Sequence, residues 1–303
     1  MPEDHEVVIV GGGPAGTACA LECHDIRLDY VLLEAGDRLG GQLADTPNSI
    51  RNLPAGRFTT GNALQEALEE AATVLGDRRR TACPVTAADL AGRRLVTGAG
   101  EFVARAIVLA TGTRRRRLVG VDDGAYGGDV TYLVEDKLDR FAGRTAAVVG
   151  GGDSASLDAL ALAATGSRVY LIHRGTHLRA RPDIVRAVAE HPGIEDVPGV
   201  TVEGVVGVDA LHGVVVVDGD GVRRTIDIER LVAKVGYSAA TELVAGQLAL
   251  DETGAIVTDR DLATSVAGVF AAGDVVSGAY ARVATAMGDG VRAAGSILRY
   301  LSA

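Results

Sequence analysis

The chain has 303 residues, enough for a sizeable core and, on length, for two compact domains rather than one. Hydrophobic residues make up 47% and charged residues 23%, an ordinary balance for a folded soluble protein, and a net charge of −10 argues against general nucleic-acid binding, which needs a basic surface to displace phosphate counterions. No apolar run is long enough for a membrane span, acidic Glu3, Asp4 and Glu6 do not suit a signal peptide, and Cys19, Cys23 and Cys83 make neither a disulfide framework nor a metal-ligand set, so a soluble cytoplasmic protein is expected.

In chain order, Val7–Val10 is a β-branched apolar run, Ala15–Cys23 carries good helix formers and Tyr30–Leu33 is apolar again, which together make one βαβ unit. Asn62–Val74 reads as a helix, and Phe102–Leu109 as a strand running into Ala110-Thr111-Gly112. A second unit follows: strand Thr145–Val149, turn Gly150–Gly152, helix Ser156–Ala164 and strand Val169–Ile172. Its glycine turn lies 139 residues after the first, far beyond a solenoid period, so the chain reads as two nucleotide-binding halves. Arg181–Ala189 reads as a helix, and Gly213–Asp218 with Arg223–Ile228 as a hairpin about Gly219–Gly221. A strand at Val269–Ala271, Gly273-Asp274 and a helix from about Val283 to Leu298 close the chain. The fold class is α/β, with two Rossmann-like, three-layer dinucleotide-binding domains.

The segment VVIVGGGPAG places Gly11, Gly13 and Gly16 in G-x-G-x-x-G spacing directly after a strand. Gly11 permits the tight turn, Gly13 lets backbone approach a pyrophosphate, and Gly16 lets the helix pack close to the strand. Pro14 and Ala15 open that helix, whose free N–H groups and positive dipole end favour phosphates. Glu34 stands 23 residues after Gly11, where a carboxylate can accept both hydroxyls of a ribose. The second turn, Gly150-Gly151-Gly152-Asp153-Ser154-Ala155, is the G-x-G-x-x-A variant. The same 23-residue count lands on His173, followed by Arg174. Without an acid there, and with Arg174 and Arg179 able to neutralise a 2′-phosphate, NADPH is expected over NADH. The alternative is that both arginines are surface charges on a loop.

These motifs resemble those of the thioredoxin-reductase-like flavoproteins over almost the whole chain. The carrying residues are the two glycine turns, Gly40-Gly41-Gln42-Leu43, Ala110-Thr111-Gly112, His173-Arg174 with Leu178-Arg179-Ala180, and TSVAGVFAAGDV from Thr264 to Val275. The resemblance implies an FAD domain (residues 1–116 and 243–303) interrupted by an NADPH domain (117–242), joined by crossing strands near Arg117–Gly120 and Ala239–Leu243. It implies that Gln42, with Gly41 and Leu43, lies at the isoalloxazine and that Asp274, after Gly273, holds the ribityl chain. It also implies that the helix after Arg282-Val283 aims its N-terminus at the flavin pyrimidine edge. Ala35, Asn52 and Val85 complete the implied FAD site, and Gly150, Gly152, Asp153, Ser154, His173, Arg174 and Arg179 the NADPH site. A homodimer is implied by the family alone.

The departures bear on function. Thioredoxin reductases carry a C-x-x-C dithiol just before the second glycine turn, whereas Gly127–Arg144 contains no cysteine. Cys19 and Cys23, four apart on one helix, are poorly placed for a disulfide. The replacing loop, Val130-Thr131-Tyr132 and Val134-Glu135-Asp136, is similar to that of the ferredoxin/flavodoxin–NADP⁺ reductases of this fold. Their C-terminal flavin cover is not expected in a chain ending at Ala303, and their Arg-Gln pair before the last helix reads Ala281-Arg282 here. His-Arg-Arg reads His173-Arg174-Gly175. The resemblance therefore implies hydride transfer from NADPH to FAD and direct delivery of electrons to an external acceptor. That acceptor is an acidic ferredoxin or flavodoxin, or a small molecule such as a quinone, a disulfide or a biosynthetic intermediate. A non-catalytic flavin-binding redox sensor is a third reading. The run Arg114–Arg117 is either a patch that steers an acidic partner or a solvated junction.

Overall fold

The computed structural model describes residues 1–46, 49–50, 52–54, 56–121, 126–134 and 137–303. Glu135 and Asp136 of the loop singled out above lie outside the described residues. Contacts divide the chain into Met1–Arg114 with Ser238–Ala303, and Arg115–Tyr237.

In the first unit, β1 (Glu3–Val10), α1 (Pro14–Asp25) and β2 (Tyr30–Leu33) form the expected βαβ start. Next come α2 (Gly61–Ala71), β3 (Arg79–Arg80), β4 (Val85–Asp89), β5 (Arg94–Thr97) and β6 (Gly100–Leu109). After the second unit the chain adds β17 (Val269–Ala271) and α6 (Val283–Ser302). Strand order is β3-β2-β1-β6, and β17 also pairs with β6; these contacts are parallel. The N-terminal part of β6 continues into an antiparallel ribbon with β5 and β4. Alternation along β1 explains why it reads as an apolar run. Val7 and Ile9 join the cluster built on α1 and α6, while Val8 and Val10 join the opposite cluster with Leu95 and Phe102, so both faces are covered. Helices α1 and α6 pack closely, because a Cβ on Gly290 would lie 2.1 Å from the Ala15 carbonyl oxygen.

The second unit contains β8 (Val130–Thr131), α3 (Leu138–Phe141), β9 (Thr145–Val149), α4 (Asp153–Ala164), β10 (Arg168–Ile172), α5 (Pro182–Glu190) and β11 (Ile194–Val197). It ends with β12 (Val200–Gly207), β13 (Leu211–Asp218), β14 (Arg223–Asp227) and β15 (Arg230–Ala233). The order β11-β10-β9-β15-β8 is parallel throughout, and β12-β13-β14 forms a separate antiparallel sheet that includes the expected hairpin. Ala146 and Val148 face the helices; Ala147 and Val149 face the antiparallel sheet. Each unit is thus a three-layer Rossmann-like domain. The crossing strands fall slightly earlier than the sequence places them. They are β7 (Thr113–Arg115) and β16 (Tyr237–Ala239), fixed in register by Ala240 N–H to Gly112 O (3.0 Å) and Arg116 N–H to Gly236 O (2.9 Å).

Candidate functional site

At the end of β1 the chain turns at Gly11, whose φ of +102° favours glycine. A Cβ there would lie 2.4 Å from the Ala110 carbonyl oxygen, and a Cβ on Gly16 1.8 Å from the Gly11 oxygen, so neither position admits a side chain. Gly13 meets nothing within 4 Å and offers bare backbone at the helix start. Helix α1 begins with Pro14 at its first turn, with no side-chain cap and no acid there. Its first N–H groups are therefore available to an anion.

Beside this turn lies a cavity of about 560 Å³. Of the residues expected to bind FAD, it is lined by Gly11, Gly13, Pro14, Ala15, Glu34, Gly41, Gln42, Leu43, Asn52, Ala110, Thr111, Gly112, Asp274, Arg282 and Val283. Gly16 and Gly273 sit behind the lining: Gly16 closes the turn, and a Cβ on Gly273 would press on Ala15. Ala35 and Val85 are not among the lining residues; Val85 begins the β4 edge, two residues past Cys83, whose N–H reaches the Glu34 carbonyl (2.8 Å). Thr46, Thr113, Ala272 and Ala286 line the cavity without having been singled out in sequence. Ala286 lies one helical turn past Val283, and Thr113 directly follows Ala-Thr-Gly, which is the signal that could have found them.

The carboxylate of Glu34 is oriented by two backbone donors, Gly12 N–H to Oε2 (2.6 Å) and Gly36 N–H to Oε1 (2.6 Å). A carboxylate offers about four lone-pair sites, so two bonds leave acceptor capacity for ribose hydroxyls. The Gln42 side-chain amide donates to both Thr113 O (2.9 Å) and Thr113 Oγ1 (2.7 Å), which fixes this residue at the cavity. Asp274 has its carboxyl pushed up by burial and then by the charge of Asp289, against an opposing pull from Arg282.

The second turn repeats the first. Gly150 has φ +148°, and a Cβ there would lie 2.4 Å from the Lys234 carbonyl oxygen. Gly152 caps α4, with Asp153 and Ser154 opening it. Asp153 accepts from Arg181 N–H (2.8 Å) and pairs with the Arg181 guanidinium (3.1 Å), which offsets the acid at the start of α4. His173 follows β10 as expected and is buried, but a carboxylate does come near: Asp196, from β11, lies 2.9 Å from His173 Nε2. No local pattern could have found Asp196, because strand pairing brings it in from 23 residues away. Arg174 and Arg179 are exposed, and the Arg179 backbone N–H bonds the Gly151 carbonyl (2.6 Å).

All three cysteines are free and buried. The Cys19 thiol is pushed well above its usual value, first by its hydrogen bond with Cys23 and then by burial. In the run Arg114–Arg117, Arg115 is half-buried, with its guanidinium 5.8 Å from the Tyr132 ring and 5.9 Å from the Tyr237 ring; the other three are exposed. Among the described residues, no helix is long and apolar enough to cross a membrane and no side-chain cluster could hold a metal ion.

The model of the pyridine nucleotide-disulphide oxidoreductase family matches residues 5–290. The chain belongs to that family. It is thereby an FAD-dependent pyridine-nucleotide oxidoreductase, with FAD and NADPH as cofactors. A ferredoxin–NADP reductase of Gluconacetobacter diazotrophicus is 34% identical over 290 residues, covering 90% of this chain and 84% of that protein. A thioredoxin reductase of Peptoclostridium acidaminophilum is 30% identical over 315 residues, covering 100% and 99%. The solved thioredoxin reductase of Lactococcus lactis matches with a TM-score of 0.84 at 29% identity, covering 98% of this chain and 99% of that one. The cavity fits FAD on its own features: bare turn backbone at one end, an oriented acid at Glu34, and an uncapped helix start at each of α1 and α6.

Proposed function

We infer that the first unit (residues 1–116 and 243–303 on the sequence boundaries) binds FAD and the second (117–242) binds NADPH. A hydride passes from NADPH to FAD, and the electrons leave directly for an external protein acceptor, a ferredoxin or flavodoxin. A cytoplasmic homodimer belongs to the same reading.

The flavin supplies hydride acceptance and stepwise electron release, so no protein thiol, acid or base is required for the redox step. What this chain adds is placement. The Gly11–Gly16 turn and the start of α1 take the pyrophosphate, Glu34 takes the adenosine ribose, and Gln42, braced by Thr113, sits at the isoalloxazine. The Gly150–Gly152 turn takes the second dinucleotide, with Arg174 and Arg179 for the 2′-phosphate.

One observation carries the direct-transfer reading. The segment before the second glycine turn, where a dithiol would stand, has no cysteine, and the three thiols elsewhere are buried. A thiol reacts as its thiolate, and burial with a raised value keeps Cys19 protonated and inert. The 34% identity to a ferredoxin–NADP reductase supports a protein acceptor, as do the exposed cations Arg114 and Arg116 on a chain of net charge −10.

The test is NADPH-driven cytochrome c reduction with and without added ferredoxin or flavodoxin. Strong dependence on the added carrier is expected. NADPH oxidation that no carrier accelerates, but a quinone or disulfide does, would replace the protein acceptor with a small molecule. No NADPH oxidation with any acceptor would leave a redox sensor.

A further inference from the structure

Gly40, Gly41, Gln42 and Leu43 all line the 560 Å³ cavity and form one continuous segment of its wall. Gly40 has φ +110° and Gly41 φ +53°, so the segment turns on two glycines, the residues that lose most conformational freedom when fixed. A wall of this kind holds one shape only where its neighbours fix it.

Helix α2 supplies the fixing. Its buried positions Gly61, Leu64, Gln65 and Leu68 recur at three- and four-residue spacing on one face, with Glu69 beside them. Gly61 presses on the segment, because a Cβ there would lie 2.1 Å from Leu43 O, and Leu64 and Leu68 share an apolar cluster with Leu43. The two polar residues of this face take both backbone groups of Leu39, which is itself fully buried. Leu39 N–H donates to Glu69 Oε1 (2.6 Å), and Gln65 Nε2 donates to Leu39 O (2.6 Å). Arg79 Nη1 holds Glu69 from behind through Oε2 (2.6 Å). The next residue, Gly40, gives its N–H to Gly12 O (2.8 Å), which ties the same segment to the first glycine turn. Gln65 is 6% exposed, and burying its amide is costly unless the amide is bonded; its partner is the backbone of the cavity wall.

We propose that Gln65 and Glu69 are positioning residues of the flavin site. Neither is among the residues lining the cavity; acting through Leu39, they fix the Gly40–Leu43 wall on which the cofactor rests. A wall ordered in advance spares FAD the entropy of ordering it on binding. Gln42 is then held from two sides, its side chain by Thr113 and its backbone by the α2 clamp. The proposal rests on FAD occupying this cavity.

FAD dissociation from the holoenzyme, read by flavin fluorescence on dilution, tests it together with the visible circular dichroism of the bound flavin. Gln65→Met and Glu69→Ala are each expected to weaken FAD binding about tenfold, the effect of a buried polar group left without its partner, and to reduce the dichroism. Glu69→Gln keeps an oxygen for Leu39 N–H and is expected to stay within about threefold of the parent. Arg79→Ala removes only the ion pair and is expected to stay within about threefold as well. In a Gln42→Ala background the effect of Gln65→Met on the dichroism is expected to shrink, because both changes act on one wall. Parent-like affinity and dichroism in Gln65→Met and Glu69→Ala would overturn the proposal. Equal losses in Glu69→Gln and Arg79→Ala would overturn it too, by making the ion pair and the fold the cause, and so would full additivity with Gln42→Ala. Gln65→Asn, one methylene shorter, replaces Gln65→Met if that variant does not fold, with the same loss expected and the same result refuting it. Wild-type protein that carries no FAD would instead sink the reading on which the proposal rests.

Discussion

At the end of β1 the Gly11 N–H donates to Leu33 O (2.8 Å) and the Gly40 N–H to Gly12 O (2.8 Å); at the end of β9 the Gly150 N–H donates to Ile172 O (2.8 Å) and the Arg179 N–H to Gly151 O (2.6 Å). The two halves thus use the same backbone bonds, even where a glycine in one corresponds to an arginine in the other. They part company in their side chains. After the second strand the first half has Glu34, whose charge is oriented by two N–H donors, while the second has His173 beside Asp196. The first helix starts without an acid, and the second starts with Asp153 held by Arg181. Backbone bonding makes the turn common to both halves, and on the proposed reading the residue after the second strand selects the dinucleotide.

The largest expected effect breaks the first turn. Gly16→Val places branched atoms where even a Cβ would collide with the Gly11 carbonyl, and FAD is expected to be lost altogether, as read from the 450-nm absorbance of purified protein. The third position of the second turn already carries Ala155, so Ala155→Gly is expected to leave FAD content unchanged.

Next comes an exchange of the residue after the second strand. His173→Glu, made together with Asp196→Asn so that two carboxylates do not face each other, converts the second half toward the first. NADPH affinity is expected to fall roughly tenfold or more, about 1.4 kcal/mol or above, while NADH binding holds or improves. Equal loss for both nucleotides would mean that His173 acts on the fold rather than on the 2′-position. Arg174→Ala and Arg179→Ala sharpen the same contrast. Each is expected to weaken NADPH by several-fold, about 1 kcal/mol, without affecting NADH, in direct binding titrations.

Much of this was legible in the sequence because it is local. Both turns, Glu34 and the strands flanking them lie within single βαβ units, where spacing alone specifies geometry. Long-range partners were not legible. Asp196 reaches His173 through parallel strand pairing, Thr113 braces Gln42 across 71 residues, and Gly290 meets Ala15 only when α6 packs on α1. The antiparallel β12-β13-β14 sheet was half visible, since the β13–β14 hairpin has a turn signature and β12 has none.

Smaller effects test what the halves do not contain. Replacing Cys19, Cys23 and Cys83 together by alanine is expected to leave NADPH oxidation within about twofold, with a stability cost of about 1 kcal/mol per site. Loss of turnover at retained FAD content would reveal a thiol step. The smallest effect concerns acid stability. Asp251 is held well below the usual carboxylate range by the Ser277 hydroxyl (2.5 Å), the Thr253 hydroxyl (2.7 Å) and the Ala255 N–H. Its folded-state value is depressed, so its stabilisation is full above the unfolded value of about 3.9 and fades as pH falls below that. Asp251→Asn is expected to lower the thermal midpoint near neutral pH and to narrow its gap from the parent below about pH 4.

The central claim, NADPH to FAD to an external acceptor with no protein thiol between, is tested most directly by anaerobic titration of the holoenzyme with NADPH. Complete bleaching of the flavin band by a single equivalent, with no further NADPH consumed, is the expected result. An unbleached flavin, or uptake of a second equivalent, would contradict it.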